Sequence, residues 1–251
     1  MKKTFLFIIL FLTISVSTLY STPYEYKGVY YNLNKETKEA EVTRHPDKYE
    51  WNITIPSHVF DDYTVTSIGE EAFADCPNLW SVQIPSTVTV IRRHAFALSG
   101  VSLEKVSIPQ SITIIEDHAF YGCTSLKSII LPEQLIFIGN EAFGDCSSLT
   151  TIYCYCNSMP QTEGNIFMYT DISQISLYVY ESDYDQYSST EPWKNFKEII
   201  TMPLSKISTE SNDPIQEKPL YTTDGILHNH PQKGVNILPI KTGHSRKIII
   251  K

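Results

Sequence analysis

Apolar residues recur in the middle of this chain on two superimposed scales. On the short scale they alternate with polar ones: Val82 and Ile84, Val106 and Ile108, Ile129 and Leu131, Ile152 and Cys154. A period of two marks a short strand with one face buried. Pro85, Pro109 and Pro132 follow the first three pairs directly, and a residue with no N–H to donate ends a strand. On the longer scale the whole arrangement returns. Phe73, Phe96, Phe120 and Phe143 each follow an alanine and lie 23, 24 and 23 residues apart. Ile68, Ile91, Ile115 and Ile138 stand five residues before them, and Leu79, Leu103, Leu126 and Leu149 stand just after. A unit this small cannot bury its own apolar face, so such units are stable only when stacked. Stacking strand on strand at about 4.8 Å turns each recurring residue into a ladder and the ladders into one core.

The flanks read as closures of that stack. Residues 51–56 (Trp-Asn-Ile-Thr-Ile-Pro) match the strand of a preceding, incomplete unit. Residues 28–32 and 39–43 read as two strands around a polar turn, a hairpin that would cover an edge otherwise open to aggregation. Residues 177–180, 183–187 and 192–196 read as a degenerate last unit in which a short helix and Trp193 close the other end. Residues 159–169 depart from the repeat.

The block at 68–85 (Ile-Gly-Glu-Glu-Ala-Phe-Ala-Asp-Cys-Pro-Asn-Leu-Trp-Ser-Val-Gln-Ile-Pro) and its three successors resemble the leucine-rich repeats of BspA-like type, the LRR_5 family of bacterial and some protist surface proteins. The resemblance implies a β-dominated leucine-rich repeat solenoid of short strands, with an N-terminal β-hairpin cap, a C-terminal cap and a small β tail. It also implies a surface protein that adheres to an extracellular host or microbial protein.

The expected organisation is a signal peptide over 1–21, an N-terminal cap with a partial repeat over 22–64 and four repeats over 65–157. A degenerate repeat and cap over 158–200, a linker over 201–219 and a short β tail over 220–251 follow. The leader has the form of a secretory signal: Lys2 and Lys3, an apolar run from Phe5 to Val16 too short to span a membrane, then small serines. The tail order and its Lys-Ile-Ile-Ile-Lys ending resemble short sorting tails of Bacteroidetes secreted proteins, which implies contact with an export machinery; the alternative is a small β module without that role. Localisation is expected to be secreted or at the outer cell surface.

Composition narrows the function. Asp plus Glu total 28 against 20 Lys plus Arg, a net charge of −8, which disfavours nucleic acid as a partner because phosphate binding needs a basic face. No phosphate-cradling glycine loop, zinc-helix motif or nucleophile elbow occurs, and no carboxylate pair is singled out by spacing. Catalytic residues, cofactors and a resident metal are therefore not expected.

Two sets of residues keep alternative readings. Cys76, Cys123 and Cys146 sit three residues after their Phe, with Ser99 at that place in the second unit. They form either a ladder of small buried residues or, for Cys123 and Cys146, a bridge between adjacent coils about 5 Å apart. Before each Ala-Phe lie Glu71, His94, His118 and Glu141, preceded by Glu70, Arg93, Asp117 and Asn140. The column of Glu70, Arg93, Asp117 and Asn140 reads as a surface ion-pair ladder; that of Glu71, His94, His118 and Glu141 reads as solvated His–Glu pairs, with a divalent metal site as the alternative. The strand positions that alternate with the core form the candidate ligand-binding face: Ser81, Gln83, Lys105, Ser107, Ser128, Ile130, Thr151 and Tyr153. Tyr155, Tyr178 and Tyr180 extend its aromatic end or sit half-buried in the cap.

Overall fold

The computed structural model describes residues 23–99 and 102–202, together with four strands beyond residue 219. The leader over 1–21 and most of the linker (203–219) lie outside the described residues. The chain divides into two compact units at Ser205.

In the first unit the chain winds as a solenoid whose rungs line two sides with parallel strands. One side holds the alternating apolar pairs, in a three-stranded and a four-stranded sheet that lie side by side. Trp51–Thr54, Leu79–Gln83 and Lys105–Ser107 pair in that order, and Ser128–Leu131, Thr151–Cys154, Ser176–Tyr180 and Glu198–Met202 continue beside them. The sheet on the other side was not anticipated. It contains the short strands Tyr63–Ile68, Val90–Ile91, Ile114–Ile115, Phe137–Ile138 and Gln161–Thr162, again parallel and in that order. Most of these strands are only two residues long, so alternation along one strand has no room to show.

The conserved geometry of each Ala-Phe turn forms a third seam between coils. Phe73 N–H donates to Ala95 O at 2.7 Å, Phe96 N–H to Ala119 O at 2.7 Å and Phe120 N–H to Ala142 O at 2.8 Å. Two residues before each Phe the backbone takes positive φ: Glu71 at 55°, His94 at 53°, His118 at 55° and Glu141 at 52°. Two residues after, Asp75, Leu98, Gly122 and Asp145 do the same. Left-handed residues on both sides turn the intervening N–H groups toward the next coil, and a costly conformation is tolerated because the seam repeats it.

Inside, the predicted ladders are continuous. The rings of Phe73 and Phe96 stack at 5.0 Å and 9°, Phe96 and Phe120 at 5.0 Å and 3°, Phe120 and Phe143 at 5.5 Å and 4°. The row runs on to Tyr49 at one end and Phe167 at the other. Val88, Ile112 and Leu135, each three residues after a strand-closing proline, add a buried row.

Residues 159–169 do not leave the solenoid. Gln161–Thr162 pairs with Phe137–Ile138, and the amides of Glu141, Phe143 and Asp145 donate to the carbonyls of Asn165, Ile166 and Met168. Asn-Ile-Phe thus replaces Glu-Ala-Phe in a further coil, which the bulkier Ile166 hides from a search for Ala-Phe.

At the N-terminal end Tyr24–Tyr26, Val29–Asn34 and Glu39–Thr43 form an antiparallel meander, whose last strand joins Tyr63–Ile68 in parallel. At the other end the helix Tyr184–Ser189 and the buried Trp193 pack over the last coils. Trp193 meets Tyr187 at 5.3 Å, Phe167 at 6.0 Å and Phe196 at 6.0 Å.

In the second unit, Leu220–Thr222, Leu227–His228, Gly234–Pro239 and Ser245–Ile250 form an antiparallel sheet. Pro239 is the last residue of its strand, opposite Ser245.

Candidate functional site

The alternating strands hold their outward residues in rows set by sheet register. Asn52, Ser81 and Lys105 are successive partners, as are Thr54, Gln83 and Ser107. Farther along, Ser128, Thr151, Ser176 and Glu198 form one row, and Ile130, Tyr153, Tyr178 and Ile200 the other. Gln83, Ser107 and Ser128 are exposed; Ser81, Ile130, Thr151 and Tyr153 are half-buried. For Lys105 the backbone register alone places it on this face.

The face changes character along its length. Its middle carries small and polar groups, and its C-terminal end is apolar. Tyr153 and Tyr178 stack there at 4.7 Å and 26°, between Ile130 and Ile200. Stacking fixes both rings, so the phenols offer contact area at little further cost in side-chain freedom. Tyr155 and Tyr180 divide from them: both are buried and meet edge to face at 6.0 Å. The tyrosines thus serve both roles, two on the face and two in the interior.

Trp51 and Trp80, at the opposite end of the face, were missed as a pair. They are 55% and 49% exposed, with rings 4.9 Å apart and nearly perpendicular. A tryptophan at the place of an exposed polar residue in the later repeats was the available signal.

On the turn side, the anticipated ion-pair column is present in part. Arg93 lies 3.6 Å from Asp117 and Arg44 lies 2.9 Å from Glu71. Arg92, which the repeat comparison did not single out, joins Glu41 and approaches Glu116 at 3.7 Å. These pairs are largely solvated, each worth about 0–1 kcal/mol. An open polar recess lies among Asn32, Glu41, Glu70, Glu71 and Arg92.

The rings of His94 and His118 lie 4.7 Å apart, tilted by 32°, and His118 Nε2 sits 3.3 Å from Glu141. Burial, then the neighbouring His118 and Arg93, push the His94 imidazole below its ordinary pKa, against opposing pulls from Glu71 and Glu70. The fold therefore favours neutral His94. Its contribution is present above the unfolded value of about 6.5 and is lost as pH falls below it, where the unfolded chain takes up the proton more readily. We expect the urea midpoint to fall between about pH 7.5 and about pH 5.5, and to fall less in His94→Gln. An equal fall in both proteins would contradict this. Among the described residues, no group of three or more His, Cys, Asp or Glu side chains is gathered to hold a metal ion.

The cysteine ladder has a specific role. Cys76, Cys123 and Cys146 are free, buried thiols, so the bridge between Cys123 and Cys146 is absent. Cys123 Sγ turns to Phe96 O and Cys146 Sγ to Phe120 O, both at 3.3 Å. Ser99 donates in the same way to Phe73 O, and Thr170 to Phe143 O at 2.7 Å. Each coil thus supplies one small donor for a buried carbonyl of the coil before it, and Cys, Ser and Thr all satisfy that need. Burial raises the Cys123 thiol well above its ordinary pKa and the Cys146 thiol to about 12, which keeps both unreactive.

Among the described residues no helix is long and apolar enough to cross a membrane. The closest functional clues are in the repeat itself. A search of curated proteins gave no match. Among solved structures, the chain resembles a leucine-rich repeat protein of T. pallidum, with 25% identity and a TM-score of 0.56, over 72% of this chain and 82% of that one. It also resembles the pneumococcal vaccine antigen PcpA, with 18% identity and a TM-score of 0.53, over 72% of this chain and 48% of that one; this likeness concerns the fold. The family model described as "BspA type Leucine rich repeat region" matches six copies over residues 48–173. With repeats of that pattern wound into a solenoid over half its length, the chain belongs to the BspA-type leucine-rich repeat family.

Proposed function

We propose that the chain is an exported protein, secreted or held at the outer cell surface, whose outward sheet binds an extracellular host or microbial protein in adhesion. The observation that carries this reading is the register row Ile130, Tyr153, Tyr178 and Ile200, an apolar strip at one end of a polar face. Apolar and aromatic groups bounded by polar ones are the usual anatomy of a protein interface, with tyrosine prominent among the residues that dominate binding. Membership of a family that includes bacterial surface proteins supports exposure outside the cell. The role is binding rather than catalysis. Ser81, Gln83, Lys105, Ser107, Ser128 and Thr151 form the polar part of the contact surface in this reading.

The test is capture of serum, matrix or co-resident bacterial proteins by the immobilised full chain. A retained protein should be identified and its affinity measured against Tyr153→Ala and Tyr178→Ala, with a loss of about tenfold or more expected in each. Retention of nothing would favour the second reading, a structural envelope protein without a specific ligand. The leader and the tail over 220–251 direct export in this account. Deleting the tail is expected to leave the protein inside the envelope in cell fractions, and unchanged release would count against a sorting role.

A further inference from the structure

The Trp51–Trp80 pair has no structural return that accounts for it. The repeat supplies the comparison. Trp80 stands at a position occupied in later rungs by Glu104, Lys127 and Thr150, all exposed. Trp51 is the register partner of Leu79, and at that position Leu79, Leu103, Leu126 and Leu149 are all buried in the core. In the first rung the side chain is instead turned out. Trp51 has φ 63°, a bulge separates it from Asn52, and its N–H is held by Asn78 O at 2.8 Å. A bulky residue in the left-handed region is costly. The result is an exposed indole laid against another exposed indole.

The polar groups beside the pair are themselves fixed. Asn78 Nδ2 donates to Glu50 Oε1 at 2.9 Å, next to Trp51, and Ser81 Oγ donates to Asn52 Oδ1 at 2.6 Å, next to Trp80. Each bond orients a planar amide or carboxylate on an exposed residue. Planar apolar faces bordered by oriented donors and acceptors complement a pyranose, whose C–H face is apolar and whose rim carries hydroxyls. Charge narrows the ligand further. The exposed carboxylates of Glu50 and of Glu104, one rung on, lie beside the pair in a chain of net charge −8, so an acidic sugar would be repelled.

We propose that Trp51 and Trp80, with Glu50, Asn52, Asn78 and Ser81, form a binding site for a neutral oligosaccharide. This site goes beyond the protein-binding reading, and it stands at the other end of the face from Tyr153 and Tyr178.

The full chain should be titrated with cellohexaose, maltohexaose and a neutral high-mannose glycan, with a sialylated oligosaccharide and an oligolysine peptide as the other arms. Intrinsic fluorescence reports directly, because Trp193, the third tryptophan, is buried. A saturable change with at least one neutral saccharide is expected, weakened about tenfold or more in Trp80→Thr and in Trp51→Ala. Trp80→Thr places at this position the residue that the repeat itself uses at 150, so the fold is retained. Tyr153→Ala should leave saccharide binding unchanged, which separates this site from the aromatic strip at the other end of the face. No response to any neutral saccharide would overturn the proposal. So would a response to oligolysine or the sialylated sugar alone, or saccharide binding of native strength in both tryptophan variants.

Discussion

Phe120→Ala is expected to lower stability by about 3–5 kcal/mol, the range for removing a buried aromatic ring. Phe120 is fully buried, stacked between Phe96 at 5.0 Å and Phe143 at 5.5 Å. In a stack of coils each unit touches only its neighbours, so stability is close to a sum of unit and interface contributions. Loss of one interior ring weakens two interfaces together. The neighbouring rings are held by the amide seam between coils and cannot slide in to fill the gap, so the cavity persists. Urea denaturation followed by circular dichroism measures the change, with a fall in melting temperature of roughly 10 °C alongside. A loss below about 1 kcal/mol would mean that the ring row contributes little.

Trp193→Ala is the second large effect, also about 3–5 kcal/mol, but it should be distributed differently. Trp193 is 1% exposed and covers the end of the stack through Phe167, Tyr187 and Phe196. Its removal uncovers the last coils while leaving the interior rungs paired. Hydrogen exchange should therefore rise first in Ser176–Tyr180 and Glu198–Met202, whereas Leu79–Gln83 stays protected. Uniform loss of protection along the chain would contradict a closing role at one end. For Phe120→Ala the exchange pattern should instead change in the middle of the stack.

The solenoid was legible because its cause is repetition, and repetition survives in sequence. Phe73, Phe96, Phe120 and Phe143 announced a row of rings, and the valine and isoleucine pairs announced one sheet. The second sheet was hidden because Val90–Ile91, Ile114–Ile115 and Phe137–Ile138 are too short for a period to show. The coil through Asn165 and Phe167 was hidden by substitution, since backbone carbonyls rather than side chains define that seam. For the candidate face, alternation predicted which strand residues point outward. It gave no means to separate Tyr153 and Tyr178 from the buried Tyr155 and Tyr180, because that depends on where the last coils and the cap stop. The Trp51–Trp80 pair depends on one residue at positive φ and one bulge, neither of which a hydrophobic pattern encodes. The cysteine ladder was legible as a column, but its function, a donor for the preceding coil's carbonyl, is visible only where coils meet.

Successive coils pile one on the next and present one long face. Spin labels on Ser81→Cys and Ser176→Cys test it most directly. These residues are 95 apart in sequence. Ser81 pairs with Lys105, and Ser128 with Thr151 and then Ser176; the strands of Lys105 and Ser128 pack side by side, which sets the two labels four rungs apart on the same face. The native thiols are buried and free, so labelling is confined to the introduced ones. At about 4.8 Å per rung, pulsed dipolar spectroscopy should find one narrow distribution corresponding to a backbone separation of about 20 Å. A broad distribution, or one centred beyond roughly 35 Å, would contradict the stack, given a rung spacing of about 4.8 Å.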